Sequence, residues 1–260
     1  MAEQVHLPML VADAVRDRLQ VTLPPGLPIT FHGRDEEERR MLLAQGWEHA
    51  RAIGVVGPRG RIADLVEDSF RLLDAPEVVA EIVVGDLTTG TDRTSIAALS
   101  RTNSVLAYLT DEGIWVGQIG RGDAARALHS TLPDTPPGPG PRSASVPATV
   151  LARAGAANHA TSSALAAALS RGGVAAVDAR MFADVFSRQR LRAAVAGASS
   201  YRPGSRQPRP VPLNVDLLDT DAGRYLTQAR SGHVLLARGQ RELIIERVDE
   251  LVRMAYEQRR

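Results

Sequence analysis

The chain has 260 residues, enough to bury a substantial core as one large domain or two small ones. Its 31 basic and 30 acidic residues nearly balance, so the net charge gives no field that would predict a nucleic acid or an anionic membrane as partner. All the basic residues are arginine and no cysteine occurs, which excludes lysine-dependent catalysis, disulfides and thiolate chemistry. Neither a signal-peptide pattern nor an apolar run of about eighteen residues is found, so we expect a cytoplasmic protein without stable membrane insertion.

Apolar residues at helical spacing predict the first elements of the chain. A helix is expected at about 8–20, followed by a Pro/Gly break and a short extended run at 29–31. A second helix is predicted from about Arg34, with an acidic first turn that suits the helix dipole. A third is predicted over about 62–73, and it ends before Pro76.

Residues typical of β-strands dominate the next part of the chain. The predicted strands cover about 77–85, 92–100, 103–110 and 113–119. Short polar turns join them, which indicates an antiparallel sheet. A helix is predicted from Asp123 to Leu132, directly after the last hairpin.

A seam with five prolines, residues 133–141, then interrupts the pattern because proline removes backbone donors and fixes φ. Beyond it we predict an alanine-rich helical region to about Arg171, a helix from about Asp178 to Val195, and a long mobile loop over 199–212. The final elements are strands at about 213–219, 222–229 and 232–237 and a helix from Gln240 to about Tyr256.

A β-hairpin thus runs straight into a helix on each side of the seam. This repetition predicts one domain over 1–260, built of half-repeats at about 1–132 and 146–260 that are joined by a Pro/Gly linker at 133–145 and pool their strands in one sheet. Several strands, such as the one containing Val78 to Val84, are apolar on both faces. Helices of the same protein or another chain must therefore cover much of the second face.

The sequence offers no set of catalytic, cofactor-binding or metal-binding residues. The six histidines lack metal-ligand spacing, and the acidic group around Asp219 lacks the glutamate that a calcium loop requires, Arg230 being in its place. We therefore expect neither an enzyme nor a cofactor. Two alternatives stay open, an enzyme whose site is assembled from distant residues and a regulatory or nucleic-acid-binding protein that uses the Arg-rich loop 202–209.

Four segments in order resemble the EspG proteins, cytosolic chaperones of actinobacterial type VII (ESX) secretion. They are the motif at 23–28 with its continuation at 32–39, the seam at 136–140 with 143–147, the motif at 219–226, and the closing hairpin and helix. The lysine-free, arginine-rich composition agrees with an actinobacterial origin.

The resemblance implies an α/β (α+β) fold with pseudo-twofold symmetry, in which two helical bundles flank a central antiparallel sheet. It also implies that the protein binds the apolar helical tip of a PPE protein within a PE–PPE heterodimer and keeps it soluble for export. We predict Thr94, Ile96, Val234 and Leu236 of the hairpins as partner-binding residues. A sheet that accepts partners would also allow a homodimer.

Overall fold

The computed structural model describes residues 4–29, 33–157 and 161–259, which form eleven strands and eight helices. The strands are β1 Gln4–Pro8, β2 Val78–Asp86, β3 Thr91–Leu99, β4 Ser104–Thr110, β5 Gly113–Gln118, β6 Ser143–Pro147, β7 Arg190–Ser200, β8 Arg209–Pro210, β9 Val215–Thr220, β10 Gly223–Arg230 and β11 His233–Arg238. The helices are α1 Met9–Leu19, α2 Glu36–Ala52, α3 Asp64–Asp74, α4 Ala124–Ser130, α5 Ala148–Ala156, α6 Ser162–Arg171, α7 Ala176–Phe186 and α8 Arg241–Arg259.

All the strands belong to a single sheet whose paired strands are antiparallel. The order is β1-β5-β4-β3-β2-β7-β9-β10-β11-β6, and the short β8 pairs with β7. Read outward from the central β2–β7 pair, both halves follow the same plan: four sequential strands and an outermost strand that comes first in the chain. Each half also has three helices after its first strand and one helix at its end. This is the pseudo-twofold α/β arrangement that the sequence predicts.

Three clusters of buried apolar side chains fix the layers. Because register partners lie on the same side of a sheet, Val79, Ile96 and Leu236 share one face, which we call face A. On face A, helices α1–α3 pack over the outer strands of the first half and α5–α7 over those of the second. On the opposite side, face B, α4 and α8 together cover the centre of the sheet, where Ile82 and Ala196 are buried.

A buried ion pair attaches the proline-rich seam to the sheet. Arg224 donates from Nε to Asp219 Oδ1 at 2.6 Å and from Nη2 to the Pro133 carbonyl at 2.9 Å. Tyr225 donates its hydroxyl to the Pro139 carbonyl at 3.1 Å. At Gly138 a Cβ would lie 2.2 Å from the Tyr225 ring, so only glycine lets the seam pass this close. The seam is therefore packed against the second half.

The structure corrects several boundaries. The predicted helix from Asp178 to Val195 is wrong beyond Phe186, because residues 190–200 form the central strand β7. The predicted mobile loop at 199–212 begins with the end of β7 and contains β8. The edge strands β1 and β6 were not expected. The predicted extended run at 29–31, apart from Ile29, lies outside the described residues, as do His32 of the resembling motif and His159.

Candidate functional site

The centre of face A carries an uncovered apolar strip. Val83 of β2 and Val195 of β7 are register partners, and their exposed fractions are 37% and 43%. Successive register pairs extend this row across six strands, in the order Thr94, Val83, Val195, Asp216, Thr227 and Leu236. We call the part from Thr94 to Asp216 the central strip. Two exposed valines side by side in the middle of a sheet are unusual because such positions are normally buried.

The strip is open because the two helical bundles cover only the outer strands. Ile96, two residues from Thr94 along β3, is fully buried beneath α1–α3. Leu236, at the other end of the row, is fully buried in the cluster formed with α5–α7. On face B the same two central strands are closed by α8. The sheet therefore presents its bare surface to solvent where the two halves meet.

Carboxylates lie at the border of the strip. Burial raises the pKa of Glu81, which neighbours Val83 along the same face, and desolvation also raises the pKa of Asp216. The loop before α2 passes beside Glu81, since a Cβ on Gly26 would lie 3.1 Å from Thr94 Cγ2 and 3.3 Å from Glu81 Oε2. A raised carboxyl pKa means that these groups are less easily ionised here than in water. A hydrogen-bond donor or a cation on a partner would therefore stabilise the ionised form of these carboxylates.

The turn between β2 and β3 carries a third exposed apolar side chain, four residues along the chain from Val83. Leu87 is 56% exposed. The turn itself is held by Asp86, whose pKa is lowered first by the hydrogen bond from the Thr88 hydroxyl and then by the Thr88 backbone. Arg192 of β7 donates to the same carboxylate at 3.0 Å. The turn is thereby fixed to the opposite half of the molecule.

The four partner-binding residues predicted from the sequence differ in their exposure to solvent. All four lie on face A. Ile96 and Leu236 are completely buried by the protein's own helices, so a partner that docks on this conformation would not touch them. Thr94 and Val234 are partly exposed, and Thr94 adjoins the central strip. The sequence did not show which face of the sheet is open, and it did not single out Val83 and Val195, whose exposure depends on where the helices end.

Two arginines of the arginine-rich loop are held by acceptors of the protein itself. Arg206 donates to the Thr22 hydroxyl at 2.9 Å and to Asp74 at 2.8 Å, and Arg209 donates to the Gln258 carbonyl at 3.3 Å. These two side chains therefore hold the loop to α3 and α8. A phosphate contact would require an arginine that is free to leave such partners.

The described part of the chain contains neither a metal-binding cluster nor a helix that could cross a membrane. Within it, no three histidine, aspartate or glutamate side chains are grouped so that they could hold a metal ion. In the same residues, every helix is too short or too polar to cross a membrane.

A large pseudo-twofold antiparallel sheet with two separate helical bundles and an exposed central strip defines the class of fold. The family model described as "EspG family" matches residues 8–250 of the chain. The chain therefore belongs to the EspG family, as its motifs indicated. Comparison with curated protein sequences gives no match.

A solved structure supports the same fold. It is the Mycobacterium tuberculosis type VII secretion system chaperone EspG5 in complex with a PE25–PPE41 dimer. The identity is 15% and the TM-score 0.73, and the alignment covers 96% of this chain and 95% of that one. At this identity the likeness concerns the fold, and the predicted pseudo-twofold architecture is confirmed.

Proposed function

We propose that this protein is a cytoplasmic chaperone of type VII secretion that binds the apolar helical tip of a PPE protein in a PE–PPE heterodimer and keeps the pair soluble for export. The observation that carries the proposal is the exposed pair Val83 and Val195 in the central strip. Membership in the EspG family and the likeness to a structure of EspG5 with a PE–PPE dimer support it.

The mechanism is the burial of one apolar surface against another. A free helical tip with exposed apolar side chains is an aggregation hazard, and covering it removes that surface from water. Val83 and Val195 form the centre of the chaperone's side of this contact, and the partly exposed Thr94 adjoins them. The partly exposed Val234 lies farther out on face A, on β11. Glu81 and Asp216 provide the polar border that interfaces of this kind have.

A specific interface with the client must be larger than the two valines alone provide. A stable interface buries on the order of 1,200–2,000 Å² in total. Two valines supply only a small part of this area, so the client also covers neighbouring surfaces, and the exposed Leu87 of the β2–β3 turn is one apolar candidate. Catalysis has no part in this mechanism.

We further propose that the sheet derives from two half-repeats, at about 1–132 and 146–260, joined by the segment 133–145. The matching order of strands and helices in the two halves supports this division. The last three residues of the segment already belong to β6, so the second half begins slightly earlier in the structure.

Co-purification tests the function. The chain is co-expressed with each PE–PPE pair of the same genome, and the PE partner carries the affinity tag. We expect at least one pair to retain the chain as a stable ternary complex through size-exclusion chromatography. If every pair elutes without it, the proposed function is wrong.

A further inference from the structure

A small cavity lies on face B, the side of the sheet opposite the central strip. It is lined by side chains whose buried hydrogen-bond donors have no acceptor among the described residues. Its volume is about 240 Å³, and it lies between the end of the β10–β11 hairpin, β6 and α8. The residues that carry the argument are Gln228 of β10, Arg230 at the end of the same strand and Arg247 of α8. The site is independent of the proposed function.

Two of the donors are buried and unpaired. Gln228 is 2% exposed, and its Nε2 has no hydrogen-bond partner among the described residues. The Nε of Arg247, which lines the same cavity, is likewise buried without an acceptor in the described part of the chain. A buried donor without an acceptor destabilises the fold, and a charged donor does so more strongly. Two such donors at one cavity point to an acceptor that enters it.

The local charge decides what kind of acceptor fits. Arg230 donates to Glu250 Oε1 at 2.6 Å and Arg247 donates from Nη1 to Glu250 Oε2 at 3.0 Å. Two guanidinium groups thus share one carboxylate, which leaves one positive charge in excess. A monoanion neutralises this excess, whereas a phosphate dianion would leave a net negative charge in a partly buried place.

The two halves of the molecule carry different side chains at this position of the sheet, although a cavity borders it in both. Register pairs place Gln228, Leu235 and Ser145 in one row across β10, β11 and β6. The corresponding row of the first half consists of the rings of Tyr108, Trp115 and His6, with centroid distances of 6.3 Å and 4.9 Å between neighbours. The second half has an amide, a leucine and a serine side chain instead, so Gln228 brings a hydrogen-bond donor to a place where the first half has a ring.

We propose that this cavity is a binding site for a carboxylate group, which accepts one hydrogen bond from Gln228 Nε2 and one from Arg247 Nε. A carboxylate has two acceptor oxygens and one negative charge, which match the two free donors and the charge excess. The group is supplied by a free small acid or by an acidic side chain of a bound polypeptide. Both sources share the same recognition chemistry.

Nuclear magnetic resonance of the full-length chain tests the site directly. The Nε–H of Arg247 and the side-chain amide of Gln228 are followed while sodium acetate or N-acetylglutamate amide is added, with sodium chloride at equal ionic strength as the reference. We expect saturable shifts of both resonances with one common midpoint. Tighter binding of the blocked glutamate identifies a polypeptide as the source, and tighter binding of acetate identifies a free acid.

Two variants remove one donor each. Gln228→Met keeps the side-chain length without the amide, and Arg247→Lys keeps the positive charge without Nε. Each should weaken carboxylate binding at least tenfold, whereas Arg253→Lys on an exposed part of α8 should leave it unchanged. Because Gln228→Met changes a buried residue, Arg247→Lys, which is partly exposed, serves if the first variant does not fold. Shifts that only follow ionic strength, or saturation by sodium phosphate and not by either carboxylate, would overturn the proposal.

Discussion

Replacing both valines of the central strip with threonine should weaken client binding about tenfold. Threonine keeps the shape and the strand propensity of valine and exchanges a methyl group for a hydroxyl. Full burial of a valine side chain is worth roughly 2 kcal/mol, and Val83 and Val195 retain exposed fractions of 37% and 43% for a partner to cover. Each site then contributes about 0.8 kcal/mol to binding. The pair contributes about 1.5 kcal/mol, close to a factor of ten in Kd.

Biolayer interferometry against an immobilised PE–PPE pair measures this change. Because both side chains already face solvent, the free energy of unfolding should change by no more than about 0.5 kcal/mol per site, which urea titration checks. Ile53→Thr is the matched control, since Ile53 is also 43% exposed and lies outside the sheet at the end of α2. Equal affinities of the wild type and the double variant for a pair that binds the wild type would refute the role of the strip.

Three further substitutions test how the fold supports the strip and the seam. Asp219→Asn should cost about 3–5 kcal/mol because it leaves the buried Arg224 without its counter-charge; thermal unfolding should show this, and the half-exposed Asp221→Asn should change little. Glu81→Gln should stabilise the protein at pH 7: the folded-state pKa is raised, so the ionised carboxylate opposes folding above that pKa, and the gain should vanish as the pH falls below the ordinary value of 4.5. Urea titrations at pH 7 and pH 4 compare the two conditions, and a larger gain at pH 4 would contradict the reasoning. Gly138→Ala should destabilise by about 1–3 kcal/mol, since the added methyl group overlaps an aromatic ring of β10; an unchanged melting temperature would show that the seam can move away.

The first half was largely predictable because its signals are local. The strands β2 to β5 are rich in β-branched residues and joined by short turns, and α3 has a clear apolar stripe. Boundaries there differ from the structure by only one or two residues, which is the ordinary uncertainty of such limits. The resemblance between the two hairpin–helix units also predicted the symmetry correctly.

Strand β7 was missed because its sequence suits a helix when read alone. Residues 190–200 are rich in alanine, and the apolar spacing of α7 continues into them. In the folded protein, Ala194, Ala196 and Ala198 are buried in the cluster that contains α8. Small side chains let this helix approach the sheet closely, so packing decides against the intrinsic preference. Packing against neighbouring strands and α8 determines that these residues form a strand, so the strand cannot be recognised from its own sequence.

Because β7 was not predicted as a strand, the candidate surface was only partly predicted. Without β7, Val83 has no neighbour on one side, and Val195 would lie on a helix. The sequence then offers the hairpin residues Ile96 and Leu236 as exposed, although the bundles cover both. The strip exists only because β2 and β7 pair over nine residues at the junction of the two halves, while each bundle stays over its own outer strands.

This placement gives the strip a property that no single half could have. Each half alone would end in a long central strand, β2 or β7, with unpaired backbone groups, which is an aggregation hazard. Pairing the two halves satisfies those groups and at the same time brings Val83 and Val195 together as one apolar surface. Since α4 and α8 close only face B, the joined edge stays accessible on face A. A client bound there contacts both halves at once, so its affinity should depend on the integrity of the β2–β7 junction as much as on the two valines themselves.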